Sequence, residues 1–166
     1  ITITMGALKT SLFTDVSKDY VGEIIVANLG VQRNIYEIES NKYLLEKSDM
    51  KLPFRNKKNS HKGNFGHLNV IAGCKKGAGI IAANAAFGFG SGLVSIVCHE
   101  NFELPYHIMQ THFISENCTA IAIGMGLGKY ETEEIRKILN KNVAKIIDAD
   151  LFYDELICEV LEQELV

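Results

Sequence analysis

Ser60–Val97, SHKGNFGHLNVIAGCKKGAGIIAANAAFGFGSGLVSIV, decides the fold, because it reads as one βαβ unit with a glycine-rich turn. His67 to Ala72 is a short, mostly apolar run of strand length. Gly73 to Gly79 follows, with three glycines and two lysines in seven residues. Ile80 to Phe89 is apolar on almost every side, which predicts a deeply buried helix. Gly88, Gly90 and Gly92 end it, and Leu93 to Val97 is continuously apolar, as a strand of a parallel sheet covered on both faces would be. A strand running through a glycine turn into a helix N-terminus exposes free N–H groups and the positive end of a helix dipole, which together favour a phosphate. Neither common phosphate pattern is met. Gly77 is followed by Ala78 and Gly79 rather than Lys-Ser/Thr, and Gly73, Gly77 and Gly79 lack the G-x-G-x-x-G spacing. On spacing alone a plain tight turn remains an equal alternative.

Outward from this unit, Ala120 to Ile123 is another short apolar strand, and Gly124-Met125-Gly126-Leu127-Gly128 is a second glycine-rich strand-to-helix turn. Thr132 is the expected N-cap of the next helix. Glu133 and Glu134 precede Arg136 and Lys137, in keeping with the helix dipole, and Ile135, Ile138 and Leu139 form the inward face. Val143 to Ile147 is the following strand, ending in Asp148-Ala149-Asp150; residues 151–166 read as a helix, with five acids and no Lys or Arg. The alternation βαβαβ predicts a parallel sheet flanked by helices, with ligands bound beyond the carboxyl ends of its strands. All three informative turns leave strands at that edge, so they are expected to form one site. Carboxylates there can hold ribose hydroxyls, a magnesium ion or a water; capping is the alternative for Asp148 and Asp150.

The order of these motifs resembles the ADP- or ATP-dependent NAD(P)H-hydrate dehydratases, which are ribokinase-like proteins. The resemblance is carried by His61-Lys62-Gly63, Phe65-Gly66, Val70-Ile71-Ala72-Gly73, Gly77-Ala78, Gly90-Ser91-Gly92-Leu93-Val94, Ile123-Gly124-Met125-Gly126-Leu127-Gly128 and Ile147-Asp148-Ala149-Asp150-Leu151. Met125 stands where the family has proline, and Cys74 where it has serine. The resemblance implies removal of the extra ring hydroxyl of hydrated NADH or NADPH, with ADP or ATP as co-substrate and Mg2+ as cofactor. It implies that Ala78 and Gly128 contact the hydrated nicotinamide, with Gly77, Gly126, Asp148, Asp150 and Lys62 as further substrate-binding candidates. The family's Thr-Pro-His motif and its later GDVL segment, with the catalytic aspartate, are not in this sequence, so the chain alone is expected to be inert.

At the front, Ile1 to Met5 alternates as a strand, Gly6 to Asp19 is a connection, and Gly22 to Ala27 is a second strand. Thr2, Thr4, Gly6-Ala7-Leu8-Lys9, Val21-Gly22-Glu23 and Leu29-Gly30 resemble the tail of an NAD(P)H-hydrate epimerase domain, a Rossmann-like fold. That resemblance implies a potassium ligand at Thr2, an ordinary strand threonine being the alternative. The expected division is therefore an epimerase remnant at 1–45, a linker at 46–60 and the first part of a dehydratase domain at 61–166. Ile35 to Leu45 is weakly helical by its apolar spacing, and the polar run Glu46 to Lys62 contains six Lys/Arg against two acids.

The remaining features narrow the function. A net charge of -3 gives no pull toward nucleic acid, and Phe54 alone does not interleave the basic run with aromatics. Four widely spaced cysteines without a CxxC point to a reducing cytoplasm rather than a zinc site. No apolar run approaches the ~20 residues that cross a bilayer. Asn101 to Gln110 reads as a helix around Pro105, while His99, His107 and His112 fit no metal-ligand spacing and are expected at the surface or satisfied by neighbours. The opening ITITM and closing QELV read as an internal piece of a longer protein. Its expected partners are NAD(P)H hydrate, an adenine nucleotide and further copies of itself in a homo-oligomer. A ribokinase-like kinase of a small molecule and a non-catalytic nucleotide-binding module are the alternatives.

Overall fold

The structure is a computed structural model that describes residues 1–36, 38–51 and 54–161. Two compact units divide it, residues 1–50 and 51–166.

In the first unit, β1 (Thr2–Met5) pairs in parallel with β2 (Ile24–Ala27), Thr2 opposite Ile24 and Met5 opposite Ala27. The connection between them carries a 3-10 turn, Thr10–Phe13, and one turn of helix, α1 (Lys18–Val21). Thr4 is buried, its hydroxyl bonded to Ala7 O at 2.9 Å and approached by Lys9 Nζ at 3.0 Å. The helix expected over 35–45 does not form. A 3-10 turn closes at Ile35, residue 37 lies outside the described residues, and 38–46 hold no regular element. Ile38, Tyr43 and Leu45 stay exposed. With no surface to bury its apolar stripe, so short a helix lacks the tertiary packing that would stabilise it.

The second unit is a five-stranded, all-parallel sheet with helices on both faces. Its strands are β3 (His67–Ile71), β4 (Leu93–Val97), β5 (Met109–Thr111), β6 (Ala120–Ile123) and β7 (Ala144–Ile147), in the order β5-β4-β3-β6-β7. The chain starts in the middle at β3, winds outward to β5, then returns to the other side of β3. Strand order therefore reverses between β3 and β6. The period-2 alternation sorts the strand residues into two cores. Leu68, Val70, Val94, Ile96 and Ala122 pack with Ala83 of α2 (Lys76–Gly88). Ile71, Val97, Ile121 and Ile123 pack with Ile135, Ile138 and Leu139 of α3 (Thr132–Leu139). Within the sheet a buried polar group pins the loop before β6: His67 Nδ1 meets Asn117 Oδ1 at 2.8 Å, its Nε2 meets Ser95 Oγ at 2.7 Å, and Ser115 N–H donates to Asn69 Oδ1 at 2.7 Å.

Several expectations need correction. The central helix begins at Lys76, not Ile80, and is not deeply buried: only Gly79 and Ala83 are, while Ile81 is 72% exposed. One face of it meets the sheet, and the uniformly apolar sequence hides which. Residues 101–110 form no helix. After Pro105 the chain turns, with Ile108 N–H donating to Pro105 O, and enters β5 along the free edge of β4. Gln110 holds the loop by bonding Cys98 Sγ and Glu100 O. The N-cap of α3 is Glu131, with Thr132 its first residue. Beyond β7 come a 3-10 turn, Ala149–Tyr153, and a short helix, α4 (Ile157–Leu161); the rest of the helix expected over 151–166, residues 162–166, lies outside the described residues. No helix among the described residues is long and apolar enough to cross a membrane.

Candidate functional site

The two glycine turns and the Asp148–Asp150 turn are stitched together at the carboxyl edge, at the point where strand order reverses. Leaving β3, Cys74 N–H donates to Leu127 O at 3.3 Å and Lys75 N–H to Gly126 O at 3.0 Å. These bonds need backbone on backbone. A Cβ on Gly73 would sit 1.8 Å from Leu127 O, so no larger residue fits there. Leaving β6, Gly124 lies as close to the next turn, where a Cβ would meet Asp148 O at 1.8 Å. Asp150 N–H donates to Gly124 O at 3.2 Å, and the Asp150 carboxylate accepts from Gly128 N–H at 2.8 Å. Crevices at such reversals in parallel sheets are where ligands bind.

Six of the residues singled out from sequence therefore gather here. Gly77 and Ala78 are in the first turn of α2. Gly77 is exposed with open space beside it, and Ala78 packs on Gly126, whose Cβ would lie 3.2 Å from that of Ala78. Gly126 and Gly128 adopt φ of 61° and 67°, which strains any L side chain. Asp150 spends one oxygen on the Gly128 amide. Asp148 is exposed, and its carboxylate makes no hydrogen bond or ion pair among the described residues. Lys62 is not part of this group. It lies in the 3-10 turn Lys62–Phe65 before β3, at the amino edge of the sheet, where its carbonyl fills the space a Cβ on Gly92 would need (1.7 Å). Thr2 belongs to the first unit, and its hydroxyl donates to Val21 O at 2.6 Å.

Next to the turns, on the β4 side, opens a cleft of about 610 Å³ that sequence reading missed. Gly73, Cys74 and Lys76 line one wall, Cys98, His99 and Glu100 another, and Lys129, Tyr130, Glu131 and Glu134 the third. Lys76 Nζ pairs with Glu100 at 3.3 Å and lies 5.0 Å over the Phe102 ring. His99 Nε2 is 3.2 Å from Glu134, and its ring lies against Tyr130, centroids 5.1 Å apart and tilted by 31°. Burial, reinforced by the charge of Glu134, pushes the Tyr130 phenol up to about 12. Burial likewise raises the Cys98 thiol. The walls come from segments far apart in sequence, so no local motif announces the cleft. The other two flagged histidines are satisfied by neighbours: His107 meets Asn84 Oδ1 at 2.9 Å and the Phe87 ring edge-on, centroids 5.4 Å apart, and His112 meets Cys98 O at 3.0 Å.

Among the described residues no three His, Cys, Asp or Glu side chains converge on a metal position. Asp150 gives one carboxylate oxygen to the Gly128 amide, which leaves its second oxygen and the Asp148 carboxylate on this turn; magnesium is usually held by one or two such carboxylates together with a substrate's phosphates. Thr2 gives its proton to Val21 O and so keeps a neutral oxygen of the type that hard cations take.

A family model described as NAD(P)H-hydrate dehydratase matches residues 68–156, the whole span from β3 through the third turn. Among curated proteins, the bifunctional NAD(P)H-hydrate repair enzyme of Helicobacter pylori is 42% identical over 173 residues, covering 100% of this chain and 36% of that protein. The enzymes of the same name from Coxiella burnetii and Escherichia coli are each 30% identical, over 90% of this chain and 35% and 32% of their own lengths. The chain thus spans about a third of the length of the curated relatives it matches. The matched segment contains both glycine turns and the Asp148–Asp150 turn, and it covers more than half of the sequence: the chain belongs to the NAD(P)H-hydrate dehydratase family.

Proposed function

We propose that this chain is part of a nicotinamide-nucleotide repair enzyme. Residues 61–166 form the first part of a ribokinase-like dehydratase domain, 46–60 a linker, and 1–45 the tail of a Rossmann-like epimerase domain that uses potassium through Thr2. The whole protein dehydrates the S-form of NAD(P)H hydrate to NAD(P)H at the expense of ADP or ATP, and its epimerase half interconverts the R- and S-hydrates. It works in the cytoplasm as a homo-oligomer. The ring hydroxyl loses its proton as it takes the donor's terminal phosphoryl group, leaving AMP from ADP or ADP from ATP; the C–O bond then breaks with loss of a ring proton, so that phosphate departs as the C=C bond forms.

The observation that carries this reading is the fusion of three turns into one platform at the reversal point, inside the matched segment. The roles of this chain's residues are binding and orientation. Ala78 and Gly128 offer small surfaces against which a ring can lie flat. Gly77 keeps the backbone accessible, Gly126 lets the second turn pack on Lys75 and Ala78, Asp150 holds the Gly128 turn rigid, and Asp148 offers a free carboxylate to a ribose hydroxyl or the attacking hydroxyl. Lys62, at the opposite edge, has no role in this platform.

The test is turnover of hydrated NADH by the full-length protein with ADP or ATP, followed by the return of nicotinamide absorbance. Recovery that depends on the donor is expected, and it should be abolished by Ala78→Trp. Donor consumption with a phosphorylated small alcohol as product would favour a kinase instead. Nucleotide binding without turnover of either would favour a non-catalytic module.

A further inference from the structure

The cleft beside the turns carries more than its lining requires for stability. His99 is 61% exposed on its side chain, yet it is fixed twice: Glu134 holds Nε2 at 3.2 Å, and the Tyr130 ring backs it at 5.1 Å. A surface contact between an imidazole and a carboxylate gains little by itself and needs no ring behind it. The imidazole is thus held in one orientation on the wall of an open cleft. The Tyr130 side chain is half-buried, and its hydroxyl, with no hydrogen-bond partner among the described residues, is left available on the cleft wall. Lys129 on the same wall has no acidic partner among the described residues, whereas Lys76 is neutralised by Glu100. At about 610 Å³ the cleft is within the range of roughly 300–1,000 Å³ typical of small-molecule sites.

We infer that this cleft is a nucleotide-ring subsite, in which a flat heteroaromatic ring stacks on His99, the Tyr130 hydroxyl donates to an acceptor on the ligand, and Lys129 meets its phosphate. The inference rests on the proposed function only for the choice of ligand. A dinucleotide whose reacting ring lies on Ala78 and Gly128 has a second nucleotide to house, and the cleft opens directly from the same turn. That second nucleotide is the adenosine half, so the ligand chemistry is an adenine ring on a phosphoribosyl group.

The experiment follows the His99 imidazole by NMR in full-length protein labelled with 13C-histidine, the signal being assigned with His99→Gln. It is titrated separately with 5′-AMP and with nicotinamide mononucleotide. An upfield ring-current shift of His99 with 5′-AMP is expected; a shift with nicotinamide mononucleotide but not 5′-AMP would put the reacting ring in this cleft and overturns the assignment. Tyr130→Phe should weaken that binding by roughly three- to tenfold, the worth of one hydrogen bond. His99→Ala should weaken it by at least about fivefold, the worth of one stacked ring. A His99 signal unmoved at saturating concentrations of both ligands overturns the inference, as does wild-type affinity in both variants. Hydrate turnover with an unmoved His99 sinks this subsite and leaves the dehydratase reading intact. A shifted His99 without turnover does the reverse.

Discussion

Replacing Gly73 with alanine tests whether the two glycine turns are truly one structure. The added Cβ would stand 1.8 Å from Leu127 O, 2.4 Å from its carbonyl carbon and 2.5 Å from its Cα. A carbon–oxygen contact settles near 3.3 Å, so the turns must part by about 1.5 Å. Neither partner is a flexible side chain that could swing away. The hydrogen bonds Cys74 N–H to Leu127 O (3.3 Å) and Lys75 N–H to Gly126 O (3.0 Å) would be lost. At a net worth of about 0.5–1.5 kcal/mol each, the cost is about 1–3 kcal/mol. With a urea slope of about 2 kcal/mol per molar, the unfolding midpoint should fall by about 1 M. Gly77→Ala is the internal control. It lies four residues later, inside α2, with nothing within 4 Å of the new methyl group. There alanine removes glycine's excess freedom in the unfolded chain and should stabilise by about 0.4–1 kcal/mol. Urea denaturation of both variants should therefore give shifts of opposite sign. A Gly73→Ala midpoint equal to wild type, or two shifts in the same direction, would refute the picture of backbone packed directly on backbone.

Two further outcomes follow from the same geometry. Asp150→Ala removes the acceptor for Gly128 N–H and should cost about 0.5–1.5 kcal/mol in urea denaturation, with Asp150→Asn recovering part of it because an amide oxygen can still accept. On the alkaline side, the Tyr130 phenol titrates at about 12 against 10.0, and the Cys98 and Cys118 thiols are raised above 9.0, burial being the first cause in all three. Groups raised in the folded state stabilise it fully below their unfolded values and lose that contribution as pH climbs. Stability should accordingly fall from pH 9 upward, and Tyr130→Phe should delete the last-titrating phenol from a spectrophotometric titration. Tyrosines that all titrate together near 10 would contradict it.

Much of this architecture is legible because it is local. The strands β3, β4, β6 and β7 are short apolar runs bounded by turn residues, and α3 carries charge and apolar spacing that only a helix with one buried face explains. The glycine turns could be placed on the correct edge because parallel alternation leaves no other place for them. What failed was decided by tertiary context. The Ile35–Leu45 stripe had no surface to meet, and Ile81 shows that an all-apolar helix sequence does not imply burial on every side. β5 is three residues long and exists because β4 has a free edge and Gln110 ties the loop behind it. Lys62 matched a family motif, but its backbone, not its side chain, is what the fold uses, under Gly92. The His99–Tyr130–Glu134 wall joins residues from after β4 and from either side of the start of α3, a juxtaposition that only the strand order creates.

If the three turns act as one ligand site, amide hydrogen exchange of the full-length protein, with and without hydrated NADH, should show it. Residues 73–79, 124–128 and 148–150 are expected to gain protection together on binding. Protection confined to one of these turns, or found only elsewhere in the protein, would contradict it.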